Sequence, residues 1–175
     1  MATHQISILG ATTKPDTSGK VWMEPYSILA TNDVWQHNIF RFDQDGNNNA
    51  QISTRVGVYG IFTVPQNYVG SPIIIPVWTA TVITGNCVWD FDYRAIGGND
   101  TESLDQATAQ ESVTVTDAAP SAAHERLTPS LSPTAGNFAA GNTVEFLLVV
   151  DGTDASDTLA GARLLHNLIF QYGDA

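Results

Sequence analysis

The chain has 175 residues, enough for one domain that buries roughly 70% of its unfolded surface and needs no disulfide or metal staple. Seven basic against eighteen acidic residues give a formal charge of −11, which excludes a protein that holds nucleic acid by neutralising phosphates and argues against an anionic membrane as partner. A single cysteine, Cys87, excludes an intrachain disulfide; polarity comes mainly from Thr, Ser, Asn, Gln and Gly, a composition suited to strands and turns.

Residues 1–19 alternate weakly through Ile6 and Ile8 and then dissolve into GATTKPDTSG, which predicts an extended N-terminal arm leading into a domain over residues 20–175. The N-terminus has neither a charged leader nor a long apolar run. No stretch approaches the roughly 20 apolar residues of a membrane span, so the expectation is a soluble chain made in a cytoplasm.

Strands are predicted in chain order at GKVWMEPYS (19–27), DVWQHNIFRF (33–42), TRVGVYGIFTVP (54–65), IIIPVWTATVI (73–83), NCVWDFDYRAI (86–96), ESVTVTD (111–117), NTVEFLLVV (142–150) and RLLHNLIFQY (163–172). The period of two is clearest in the fifth: Cys87, Trp89, Phe91, Tyr93 and Ala95 share one face, while Asp90, Asp92 and Arg94 share the other. Turn chemistry separates the runs at DQDGNNN, PQNYVGSP, TGN, GGND and AAGN. Pro65, Pro72 and Pro76 belong at strand starts, edges or bulges. The only helical candidates are short, at SLDQATAQ and SDTLAGA. The fold expected is all-β, an antiparallel two-sheet sandwich; the strand count favours a jelly roll over an immunoglobulin-like Greek key.

The segment DGTDASDTLAG, 151–161, sets three aspartates three apart. Asp151, Asp154 and Asp157, with Thr153, Ser156 and carbonyls, could supply the oxygens of a calcium site. The same residues are those of a turn and a helix N-cap between two strong strands, with Asp157 capping a single turn through Ala162, and this is the reading preferred. A second acidic loop starts like a calcium loop at Asp43, Asp45 and Asn47 but has Asn48 and Thr54 where the EF-hand needs Gly and Glu. The histidines, His4, His37, His124 and His166, fall in no metal spacing. No nucleophile motif is present, and Cys87 reads as a core thiol. Asp90 and Asp92 share a strand face at a spacing glycoside hydrolases use, although exposed acids backing a buried aromatic face explain them more simply. Trp22, Trp35, Trp78 and Trp89 could stack on sugars, but each lies in a run that must fill a core; Trp35 fits that reading least well, since NDVWQHN is polar on both sides.

The succession VWTATVITGNCVWDFDYRAI, then LTPSLSPTAGNFAAGNTVEFLLVVDGTDASDTLAGARLLHNLIFQYGD, resembles a module of tailed-bacteriophage virion structural proteins over roughly residues 75–173. The resemblance implies a jelly roll in which DGTDASDTLAG is the tight corner between the last two strands, with Ala160 and Gly161 admitting close packing. It implies a noncatalytic capsid decoration, or cement, protein on the virion surface, without cofactors. Its partners would be the major capsid protein and its own copies in a homotrimer, with no nucleic acid or membrane. In this reading the arm straps a neighbour, and Ile6, Ile8, Lys14 and Trp35 are the expected partner-binding residues. The alternative is a receptor- or glycan-binding head of a tail fibre, with Trp35 or Trp22 exposed beside Asn and Asp.

Overall fold

A computed structural model describes residues 2–15, 21–27, 36–43, 52–97, 108–122 and 124–174. Ten strands are present among the described residues: β1 (Thr3–Ser7), β2 (Thr12–Pro15), β3 (Val21–Ser27), β4 (Gln36–Phe42), β5 (Arg55–Thr63), β6 (Tyr68–Ala80), β7 (Asn86–Ile96), β8 (Glu111–Ala118), β9 (Thr143–Asp151) and β10 (Arg163–Asp174). Short 3-10 turns occur at Leu9–Ala11 and Ala135–Asn137, and no α-helix occurs among the described residues.

The strands form two antiparallel sheets. In the first, β10 is central, with β6 on one side and β1 and β4 sharing the other; β3 lies outside β4. The second runs β2-β5-β9-β7-β8. Bridges from Leu131 to Ile74 and from Leu127 to Trp78 continue the first sheet beyond β6. The order β1-β10-β6 and the bridged segment, facing β5-β9-β7-β8, is the jelly-roll arrangement.

Alternation decides which side chains fill the space between the sheets. Trp78, Trp89, Phe42, Phe91, Phe170, Tyr93 and Leu148 are fully buried there. Trp78 and Trp89 cross edge to face with ring centroids 5.7 Å apart, and Phe42 meets Trp89 at 5.4 Å. Cys87 lies in this core, as expected, and burial pushes its thiol pKa far up.

β6 shows how prolines are accommodated within a long strand. Ile74 and Trp78 direct their N–H groups outward, to Leu131 and Leu127, and Pro72 and Pro76 fall in the same phase. Their missing donors are thus on the outer side and leave the ladder with β10 intact.

The expected arm is different over the residues described. β1 pairs with β10 from Thr3↔Gly173 to Ser7↔Ile169, and β2 pairs with β5. Between them Ile8 is 1% exposed and belongs to the core. The weak alternation of residues 3–7 is that of an edge strand seated on its own domain. Residues 16–20, Trp35 and the loop of Asp45 and Asn47 lie outside the described residues.

Candidate functional site

The DGTDASD corner gives each aspartate a separate task. The Asp151 carboxylate accepts hydrogen bonds from the Thr153 N–H (2.9 Å) and hydroxyl (2.5 Å), and it pairs with Arg55 at 3.0 Å. Asp154 accepts from the Ser156 N–H at 2.7 Å and closes the turn. Asp157 faces inward: its carboxylate pairs with Arg163, with both side chains fully buried, and accepts the Val88 N–H at 3.1 Å. Burial raises the Asp157 pKa, against the pull of Arg163. No helical turn forms over 157–162; the carboxylate predicted to cap one ties the corner to β7 instead. Gly161 passes so close to the side chains of residues 81 and 82 that a Cβ would lie 2.8 Å from Val82 Cγ2 and 2.9 Å from Thr81 Oγ1. Among the described residues no group of three or more acids, histidines or cysteines is arranged to hold a metal ion.

Among the described residues, a second polar surface lies on the outer face of the second sheet. Strand register aligns its outward residues in rows: Gly57, Val149, Asp90 and Thr114; then Tyr59, Leu147, Asp92 and Ser112; then Ile61, Glu145 and Arg94. Tyr59 and Ile61 are 43% and 42% exposed, unusual for large apolar side chains in this protein. Gly57 lets the Leu147 side chain lie over β5 beside them, since a Cβ there would meet Leu148 O at 2.7 Å and Leu147 Cδ1 at 2.8 Å.

At one end of these rows a single guanidinium faces three carboxylates. Arg55 lies 2.9 Å from Asp90, 2.9 Å from Asp92 and 3.0 Å from Asp151. Asp90 is 3% exposed although it is on the outer face, so the expectation of exposed acids fails for it. Burial raises its pKa, with the Thr114 hydroxyl (2.7 Å) and Arg55 opposing. Burial also works against ionised Asp151, but hydrogen bonds from Thr153, the charge on Arg55 and the contact with Asp90 outweigh it and hold that carboxyl below its usual range. The Ser112 hydroxyl donates to Asp92, and Arg94 pairs with Glu145 at 2.7 Å. The result is a rigid polar surface beside an exposed ring.

The expected site residues fall elsewhere. Ile6 lies in β1 and packs partly buried against the core; Ile8 is within it. Lys14 is in β2, opposite Tyr59 in register. Trp78 and Trp89 are core residues, and Trp22 is in β3. Tyr59 and Arg55 were the residues sequence reasoning missed. Their signal was present in RVGVYGIFT: an aromatic ring in the phase of Arg55 and Ile61, opposite to Val56, Val58 and Phe62.

No family model matches the chain, and no curated protein does. Solved structures similar to it include carbohydrate-binding modules and a phage tailspike domain. A family 6 carbohydrate-binding module aligns at a TM-score of 0.48 and 11% identity, over 97% of this chain and 94% of that one. A family 11 carbohydrate-binding module from Clostridium thermocellum aligns at 0.46 and 7%, over 97% and 94%. The enzymatically active domain of tailspike protein 4 from bacteriophage CBA120 aligns at 0.45 and 11%, over 97% of this chain and 19% of that one. No helix among the described residues is long and apolar enough to cross a membrane.

Proposed function

We propose that this protein is a noncatalytic glycan-binding module of the receptor-binding kind, carried by a phage tail. The observation that supports the reading is the row Tyr59, Leu147, Asp92 and Ser112 on the outer face of the second sheet. A sugar presents a C–H face that stacks on an aromatic ring and hydroxyls around its rim that need donors and acceptors. Tyr59 and Leu147 offer the first, and Asp92, Ser112 and Arg94 the second. The side chains are held by strands rather than loops and by their own ion pairs, so little ordering is needed on binding. Placement on a virion rests on the sequence resemblance alone.

No catalytic step is assigned to Asp90 and Asp92. Both lean on the same guanidinium, and Asp90 is sealed beneath it, away from any sugar on the face. Capsid decoration is less well supported by the geometry, because its strap was to be residues 1–19, which through residue 15 pair within the chain's own sheets.

A glycan array probed with the purified protein, followed by titration of the best ligand, tests the reading. Tyr59→Ala should weaken binding by at least about tenfold, or ~1.4 kcal/mol, with the fold unchanged. Equal affinity in the variant would remove the proposed face.

A further inference from the structure

The second sheet ends in a strand whose outer edge is uncovered among the described residues. The ladder between β7 and β8 continues past the strand, with the Ala119 N–H donating to the Gly85 carbonyl at 2.8 Å, and this fixes the hydrogen-bonding phase. Odd-numbered residues of β8 bond to β7. The N–H and C=O groups of Ser112, Thr114, Thr116 and Ala118 therefore point off the sheet, and these four residues are exposed. Among the described residues no backbone group pairs with them.

The other edges are blunted by recognisable devices. β2 carries Lys14 and Pro15 and a register shift, β3 carries Pro25, β1 has five residues, and the outer side of β6 is bridged by Leu127 and Leu131. β8 has eight residues in regular alternation, with no proline or lysine; an irregularity lies just before it, where the Gln110 N–H donates to the Tyr93 carbonyl. Proteins that gain nothing from an open edge interrupt it.

We infer that β8 is an interface for a second copy of this chain, joined antiparallel about a twofold axis. The strand is complementary to itself. Pairing centred on Val115 puts Thr114 opposite Thr116, Ser112 opposite Ala118 and Val113 opposite Asp117, so neither acid of the strand faces another. Glu111 and Asp117 are already turned into their own chain, to Tyr93, Thr134 and Asn137 and to the Trp78 indole N–H respectively. The pairing fuses two five-stranded sheets into one and sets both outer faces on the same side. If those faces bind glycan as proposed above, the dimer engages a multivalent ligand through two sites; the dimer itself does not depend on that reading.

Sedimentation velocity over a concentration series, with amide hydrogen exchange on the same samples, tests the inference. The expected result is a monomer–dimer equilibrium that strengthens with salt, because each copy carries −11 and the edge itself needs no ion pair. Exchange at Ser112, Thr114, Thr116 and Ala118 should slow as concentration rises. Thr116→Pro, which removes one outward N–H, should stay monomeric where the parent is mostly dimeric. A parent that is monomeric throughout would overturn the inference. So would a dimer unchanged in Thr116→Pro, or protection independent of concentration, which would place another part of the same chain along the edge.

Discussion

Asp157 and Arg163 form an ion pair with neither side chain reached by solvent, six residues apart across the corner that joins the last two strands. Two charges in a core are costly to desolvate, so the pair contributes less to net stability than to defining where the corner sits. Removing one partner is a different matter. Asp157→Ala should destabilise the fold by roughly 3–5 kcal/mol, because it strands the Arg163 guanidinium and the Val88 N–H. Asp157→Leu combined with Arg163→Met should recover most of that loss; chemical denaturation of both variants checks it.

Glu111 is a second anchor, on the opposite end of the second sheet. It accepts hydrogen bonds from the Tyr93 hydroxyl, the Thr134 N–H and hydroxyl (2.9 and 2.8 Å) and the Asn137 amide (3.1 Å). Burial alone would raise its pKa, but these donors outweigh that and lower it. A depressed carboxylate adds stability that is present above its unfolded pKa and is lost as pH falls through the folded value. Glu111→Gln should therefore cost about 1–2 kcal/mol at pH 7, with the gap to the parent closing as pH falls below about 4. Thermal unfolding of the pair across that range measures it.

Asp90 has the opposite sign. Its pKa is raised by burial, so its ionisation favours the unfolded chain, and the parent loses stability as pH rises from the unfolded carboxyl pKa to the higher folded one. Asp90→Asn keeps an acceptor for the Thr114 hydroxyl and removes the buried charge. The variant should match or exceed the parent in stability at pH 7, and the two should converge below about pH 3.9. A loss above about 1 kcal/mol at neutral pH would mean that the Arg55 pair outweighs burial.

Much of the sandwich was legible because alternation reports a half-buried strand directly. All eight runs expected from residue 19 onward contain strands, and the core reading of Trp78, Trp89 and Cys87 is that of the structure. β1 and β2 were less visible, since an edge strand with few apolar residues looks like a tail until its partner is known, β10 at the far end of the chain for β1 and β5 for β2. The corner was read as a turn, which it is. The task of Asp157 was hidden because one partner, Arg163, lies past the turn and the other, the Val88 backbone of β7, comes from across the fold. Tyr59 was overlooked because tryptophans drew the search for a sugar platform.

The central claim is that a glycan sits on the outer face of the second sheet. The most direct measurement is an amide chemical-shift map of the protein titrated with the best glycan from the array. The proposed site requires the largest shifts at Gly57–Ile61, Leu147, Asp92–Arg94 and Ser112, and their loss in Tyr59→Ala. Shifts confined to the corner at 152–161 or the turn at 81–85, or no shift with any glycan, would contradict it.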